Sequence, residues 1–203
     1  IMVPKDENEF QHMIKTATEC PMPVAFRYPR GRGVGVKRDA VLRTIEVGKG
    51  EVLREGDGLL ILPIGSTVYP SLRAAERLEG AGIHATVVNS RFLKPLDGEL
   101  ICHWAKRTGK VLTIEENVLQ GGFGSAVLEL LQEKGLFSVQ IKRLGIPDLF
   151  VEHGSQSILR EKYGIDEDGI FKSAMEMIEK GCSTPVHLNQ NKASARRVFP
   201  NPK

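Results

Sequence analysis

Two arginines at the end of an apolar run are the most chemically suggestive groups in this chain of 203 residues. They stand in VAFRYPRGRGVG, residues 24–35, where Arg27 and Arg30 flank Pro29 and glycines follow. Proline fixes the local backbone, and a guanidinium presents paired N–H donors that match a phosphate bidentately. The residue types leave two readings open: an anion-binding loop, or a surface loop whose arginines form ordinary ion pairs.

The other candidates fall away on spacing. Gly122-Phe123-Gly124 opens a helix, but the third glycine of a dinucleotide fingerprint would fall at Val127, so a tight strand-to-helix turn is expected. Lys49 and Lys110 each follow a glycine without a Ser or Thr behind them, which excludes a Walker A loop. Gly56-Asp57-Gly58 with Asn89 mimics a magnesium-diphosphate motif, yet it precedes a strand where such a motif must follow one. Glu115 and Glu116 close a strand, where open parallel sheets bind ligands, but a surface loop or subunit contact is the expected reading. Glu152 and His153 are adjacent, and adjacent side chains rarely converge, so a solvated loop histidine is expected. Cys20, Cys102 and Cys182 form no CxxC pair and read as ordinary thiols, with neither a disulfide framework nor a zinc site.

The elements that must position the arginine loop can be read from periodicity. A short strand at 1–3, a helix over 6–18 capped by Asp6, and a strand over 24–28 form a strand-helix-strand piece. It opens inside an element, as the edge of a larger domain would. Residues 34–57 are charged and punctuated by glycine, and read as a linker. Strands at 59–64, 84–89, 110–114 and 139–144 then alternate with helices at 67–81, 96–106 and 124–133, and two helices at 157–163 and 169–180 follow. Such alternation predicts an α/β domain over 58–183, a mostly parallel sheet with helices on both faces.

Composition agrees with a folded protein, since 41% of residues are hydrophobic and 26% charged. No apolar run approaches the roughly 18 residues of a membrane span, and no leader pattern precedes the first helix, so a cytoplasmic protein is expected. The net charge of +3 resides in a tail, 184–203, carrying Lys192, Arg196, Arg197 and Lys203 without an acid. That tail lacks interleaved aromatics and reads as disordered, with no nucleic-acid partner implied.

Several blocks carry a resemblance. RYPRG, EVGKGEVLREGD, ATVVNSRFLKPLD, TIEENVLQGGFGSAVLELL, RLGIPDLFVEHG and YGIDEDGI resemble successive segments of the 1-deoxy-D-xylulose-5-phosphate synthase family, within the last third of those enzymes. The resemblance runs from Met2 to about Gly181. It implies that residues 1–33 end a pyrimidine-binding domain and that 58–183 are a transketolase-type carboxy-terminal domain. It implies an enzyme that condenses pyruvate with glyceraldehyde 3-phosphate and releases carbon dioxide, as a homodimer using thiamine diphosphate and magnesium. The family's cofactor-activating glutamate, active-site histidines and magnesium motif lie upstream of the matched segment, so no cofactor is expected on this segment and it should be inactive alone. Arg30, the second arginine of RYPRG, is implied to bind the substrate's phosphate, with Arg27 its weaker neighbour. The alternative expectation is a non-catalytic assembly module that completes a separately encoded thiamine diphosphate-binding subunit.

Overall fold

The computed structural model describes residues 1–182, so the basic tail expected to be disordered lies outside the described residues. In chain order the elements are α1 (Glu7–Glu19), β1 (Glu51–Arg54), β2 (Leu59–Pro63), α2 (Val68–Gly80), β3 (Ala85–Asn89), α3 (Gly98–Thr108), β4 (Lys110–Val118), α4 (Phe123–Glu133), β5 (Gln140–Ile146), α5 (Gln156–Lys162) and α6 (Glu167–Cys182). A short 3-10 turn, Gly65–Thr67, joins β2 to α2. The five strands form one sheet in the order β1-β3-β2-β4-β5. β2, β3, β4 and β5 run parallel, and β1 is antiparallel at the edge beside β3.

The pattern of side chains explains the two layers. Every residue of the central strand β2 is buried, and successive side chains alternate between faces. Leu59 and Ile61 face Ala74, Ala75 and Leu78 of α2 with Ile170 and Ala174 of α6. Leu60 and Leu62 face Ile101 and Trp104 of α3 with Phe123 and Val127 of α4. The helices on each face therefore complete a core that neither face of the sheet could close alone.

Two expectations are corrected at the amino-terminal side. Residues 24–28 do not form a strand: Met2 makes one parallel bridge to Phe26 and one antiparallel bridge to Phe92. The first residues are thus a stitch between the arginine loop and the end of β3, with Met2 N donating to Ala25 O at 2.9 Å and Val3 N to Arg91 O at 2.8 Å. The segment read as a linker, 34–57, contributes β1 to the sheet, and its earlier half is strapped along α1. Glu7 accepts from Val34 N and Gly35 N, Asn8 from Asp39 N, His12 Nδ1 from Arg43 N, and Thr16 from Ile45 N. Asn8, His12 and Thr16 fall four apart in one row, with Glu7 beside it at the helix start, so this polar side of α1 receives a backbone that would otherwise lie open to water. His12 uses its other ring nitrogen on Asp39 at 3.0 Å, and this contact chiefly holds the Asp39 carboxyl below its ordinary value.

Asp6 caps α1 by accepting from Glu9 N at 2.7 Å. Glu9 itself is 3% exposed and lies at the centre of a charged cluster. It accepts from Lys5 N at 2.7 Å, Lys5 Nζ at 3.1 Å, Asn89 Nδ2 at 2.8 Å and Arg91 Nε at 2.7 Å. Lys5 and Arg91 also reach Glu51 on β1, at 2.9 and 2.8 Å. Arg91 has φ 55°, a left-handed conformation costly for a residue with a Cβ, and these carboxylates hold it there.

Replacing Glu9 leaves two half-buried cations, Lys5 and Arg91, with Glu51 as their remaining carboxylate. Glu9→Ala should lower the unfolding free energy in urea by about 3 kcal/mol, at the lower end of the range for breaking a buried pair, because Lys5 and Arg91 keep some access to water. A loss below about 1 kcal/mol would show that the cluster behaves as a screened surface pair.

Candidate functional site

The arginine loop lies over the carboxyl edge of the parallel strands, the edge where open α/β sheets receive ligands. Arg27 donates through its guanidinium to the carbonyl oxygen of Glu116 in β4, and its backbone N–H donates to Met2 O at 3.0 Å. Gln156, the first residue of α5, donates through Nε2 to the carbonyl oxygen of Arg30 at 2.7 Å. The Glu116 carboxylate accepts from Ser66 in the turn after β2 and from Arg160 in α5. Loop, β4, the β2–α2 turn and α5 are thereby joined around Glu116.

The two sequence-selected arginines have different situations. Arg27 is half-buried and committed to the sheet edge. Arg30 is exposed, and its guanidinium makes no hydrogen bond or ion pair among the described residues. Beside the loop is a cleft of about 450 Å³ whose walls include Phe10, Tyr28, Arg32, Ser66, Arg73 and Arg160. Of the cations lining it, Lys5 is paired with Glu9 and Glu51, Arg73 with Glu167 and Arg160 with Glu116, while Arg32 is unpaired among the described residues; Arg30 is not one of the lining residues.

The glycine turn at 121–124 has an occupant already. Glu115, 1% exposed, accepts from Phe123 N at 2.7 Å and Gly124 N at 2.8 Å, so its carboxylate sits where α4 would otherwise hold an anion. A Cβ on Gly122 would come within 2.3 Å of Glu115 Oε2 and 2.4 Å of Val118 O, which requires glycine there. Burial pushes the Glu115 carboxyl above its ordinary value, partly offset by those two N–H groups and by Arg27 and Arg143. This corrects the surface-loop expectation: β4 extends through Val118, Glu115 is a buried cap, and Glu116 is half-buried within the sheet edge.

The remaining candidates are structural. Gly56-Asp57-Gly58 lies at the amino-terminal end of β2, with Gly56 N donating to Thr86 Oγ1 at 2.9 Å, and Asn89 is spent on Glu9. Glu152 pairs with Lys162 of α5, and His153 is exposed. Cys20 and Cys102 are free thiols. Among the described residues, no group of three His, Cys, Asp or Glu side chains could hold a metal, and no helix is long and apolar enough to cross a membrane. Sequence reading missed Ser66, Gln156 and Arg160; the last two sit four apart on α5, a spacing that places them on one helix face.

Residues 48–170 match the family described as "Transketolase, C-terminal domain", and the chain belongs to that family. It is 54% identical over 187 residues to 1-deoxy-D-xylulose-5-phosphate synthase 1 of Geobacter sulfurreducens, covering 92% of this chain and 29% of that protein. It is 53% identical over 174 residues to the synthase of Desulforudis audaxviator, covering 86% of this chain and 27% of the relative. With the synthase of Heliobacterium modesticaldum it is 48% identical over 202 residues, 100% of this chain and 30% of that one. The chain thus spans less than a third of the length of these curated relatives. Among solved structures it is similar to a "Split gene transketolase, inactive beta4 tetramer", with TM-score 0.75 and 33% identity over 88% of this chain and 57% of that one.

Glu115 supplies a test with a defined sign. Because its folded-state value is raised, its contribution to stability is full below the ordinary carboxyl range and is lost as pH rises through the raised value. The stability advantage of wild type over Glu115→Gln should therefore shrink across that window in urea titrations. An advantage that grows with pH would show that the helix terminus stabilises the charged form more than burial opposes it.

Proposed function

We propose that this chain supplies the carboxy-terminal part of a 1-deoxy-D-xylulose-5-phosphate synthase, which condenses pyruvate with glyceraldehyde 3-phosphate and releases carbon dioxide. The observation that carries the reading is about half identity, across nearly all of the chain, with synthases from three bacteria. Within it, Arg30 binds the phosphate of glyceraldehyde 3-phosphate, and Arg27 secures the loop from beneath. Support for these roles lies in the free guanidinium of Arg30 above the sheet's carboxyl edge and in the bond from Arg27 to Glu116 O. On this reading thiamine diphosphate and magnesium are held by the part of the synthase that lies outside this segment. A cytoplasmic homodimer is part of this reading.

A second reading has one observation in its favour. The similar solved structure is described as a split-gene transketolase and an inactive β4 tetramer, so a chain of related fold exists apart from its other half. On that reading the present chain is an assembly module that completes a separately encoded thiamine diphosphate-binding subunit.

Both readings predict that the purified chain, given pyruvate, glyceraldehyde 3-phosphate, thiamine diphosphate and magnesium, forms no product above a no-protein control; product would overturn the expectation that the chain is inactive alone. In a complete synthase carrying this segment, Arg30→Ala should raise the KM for glyceraldehyde 3-phosphate by the equivalent of about 1.5–3 kcal/mol, the range for a charge-assisted hydrogen bond. The KM for pyruvate should change far less. An unchanged dependence on glyceraldehyde 3-phosphate removes Arg30 from the site.

A further inference from the structure

We infer that Gln156 is a positioning residue for Arg30, and that Glu116 and Arg160 complete the device that holds it. The inference rests on the phosphate-binding reading of Arg30. The loop is tethered at both ends: at Arg27 by Met2 O and Glu116 O, and at Val34 and Gly35 by the Glu7 carboxylate. Between Tyr28 and Gly33, among the described residues, the one hydrogen bond that fastens the backbone is from Gln156 Nε2 to Arg30 O. That bond falls on Arg30, one of the two loop arginines whose side chains are free among the described residues.

Gln156 is itself oriented. Its Oε1 accepts from an Arg160 N–H at 3.3 Å, which directs Nε2 towards the loop and fixes which end of the amide donates. Arg160 is anchored by the Glu116 carboxylate, and Glu116 accepts from Ser66 through its other oxygen. The carbonyl of Glu116 receives Arg27, so the path from Arg27 through Glu116, Arg160 and Gln156 returns to Arg30. A closed path of this kind sets the backbone of Arg30 against the sheet edge before any ligand arrives. An ordered loop loses less conformational freedom on binding, so its contribution is to substrate affinity rather than to the chemical step.

α5 suits this role, because none of its residues is buried and its polar contacts reach the loop and β4. Its position owes more to these bonds than to core packing.

The test is steady-state kinetics on a complete synthase carrying this segment. Gln156→Met keeps the side-chain length and removes the donor. It should raise the KM for glyceraldehyde 3-phosphate about fivefold, the equivalent of one neutral hydrogen bond, with kcat and the KM for pyruvate changed less than about twofold. In an Arg30→Ala background the same substitution should add nothing, because the residue it positions is gone. Gly31→Ala approaches the contact from the loop, since its Cβ would stand 3.3 Å from Gln156 Nε2, and should shift the same KM in the same direction without touching α5. Thermal unfolding of each variant accompanies the kinetics, and Gly31→Ala decides the matter if Gln156→Met unfolds. If Arg30→Ala raises the KM but Gln156→Met and Gly31→Ala do not, the positioning role is overturned while the phosphate site stands. An equal rise from Gln156→Met with and without Arg30 also overturns it. If Arg30→Ala itself has no effect, the phosphate reading falls and the inference with it.

Discussion

The buried carboxylate of Glu9 is the contact on which the arrangement of this chain depends. Removing a carboxylate from water costs several kcal/mol, and four donors from two separate stretches offset it: the backbone and side chain of Lys5, and Asn89 at the end of β3 with Arg91 just beyond. Because those donors belong to different parts of the sequence, the charge is satisfied in only one relative placement of α1 and the sheet. From α1 the polar rows carry residues 34–45, and the stitch of residues 1–3 joins 25–27 to 91–93. The arginine loop inherits its position over the carboxyl edge from these attachments.

At that edge the chain treats two positive features in opposite ways. The amino terminus of α4, whose first N–H groups have no helix carbonyl to bond, is neutralised from within by Glu115, whose burial between strand and helix leaves no room for an external anion. The loop cations Arg30 and Arg32 have no internal carboxylate among the described residues. Of the carboxylates near the loop, Glu116 and Glu167 are occupied by Arg160 and Arg73, and Glu7 accepts from Val34 N and Gly35 N. A charge left unpaired beside paired neighbours is a reasonable place to look for a ligand's anion.

The sheet and its helices were legible because their signals are local and periodic. The buried run 59–63, the alternation of strand and helix, and the Asp6 cap each follow from neighbouring residues. What could not be read was long-range. Nothing within 24–28 shows that its ladder partner is Met2, and nothing in 34–45 shows that its amides will be received by α1. β1 was hidden for the same reason: it is a four-residue antiparallel edge whose pairing depends on β3 far away in sequence. In the site, Arg27 and Arg30 stood out by residue type. The partners that distinguish them, Glu116 and Gln156, come from elements 89 and 126 residues away and give no local sign.

The most direct test of the account is a chimera in which residues 1–182 replace the matching carboxy-terminal segment of the Geobacter sulfurreducens synthase. If this chain is the carboxy-terminal part of such an enzyme, the chimera should form 1-deoxy-D-xylulose 5-phosphate from pyruvate and glyceraldehyde 3-phosphate. A chimera that folds and binds thiamine diphosphate yet forms no product would contradict it.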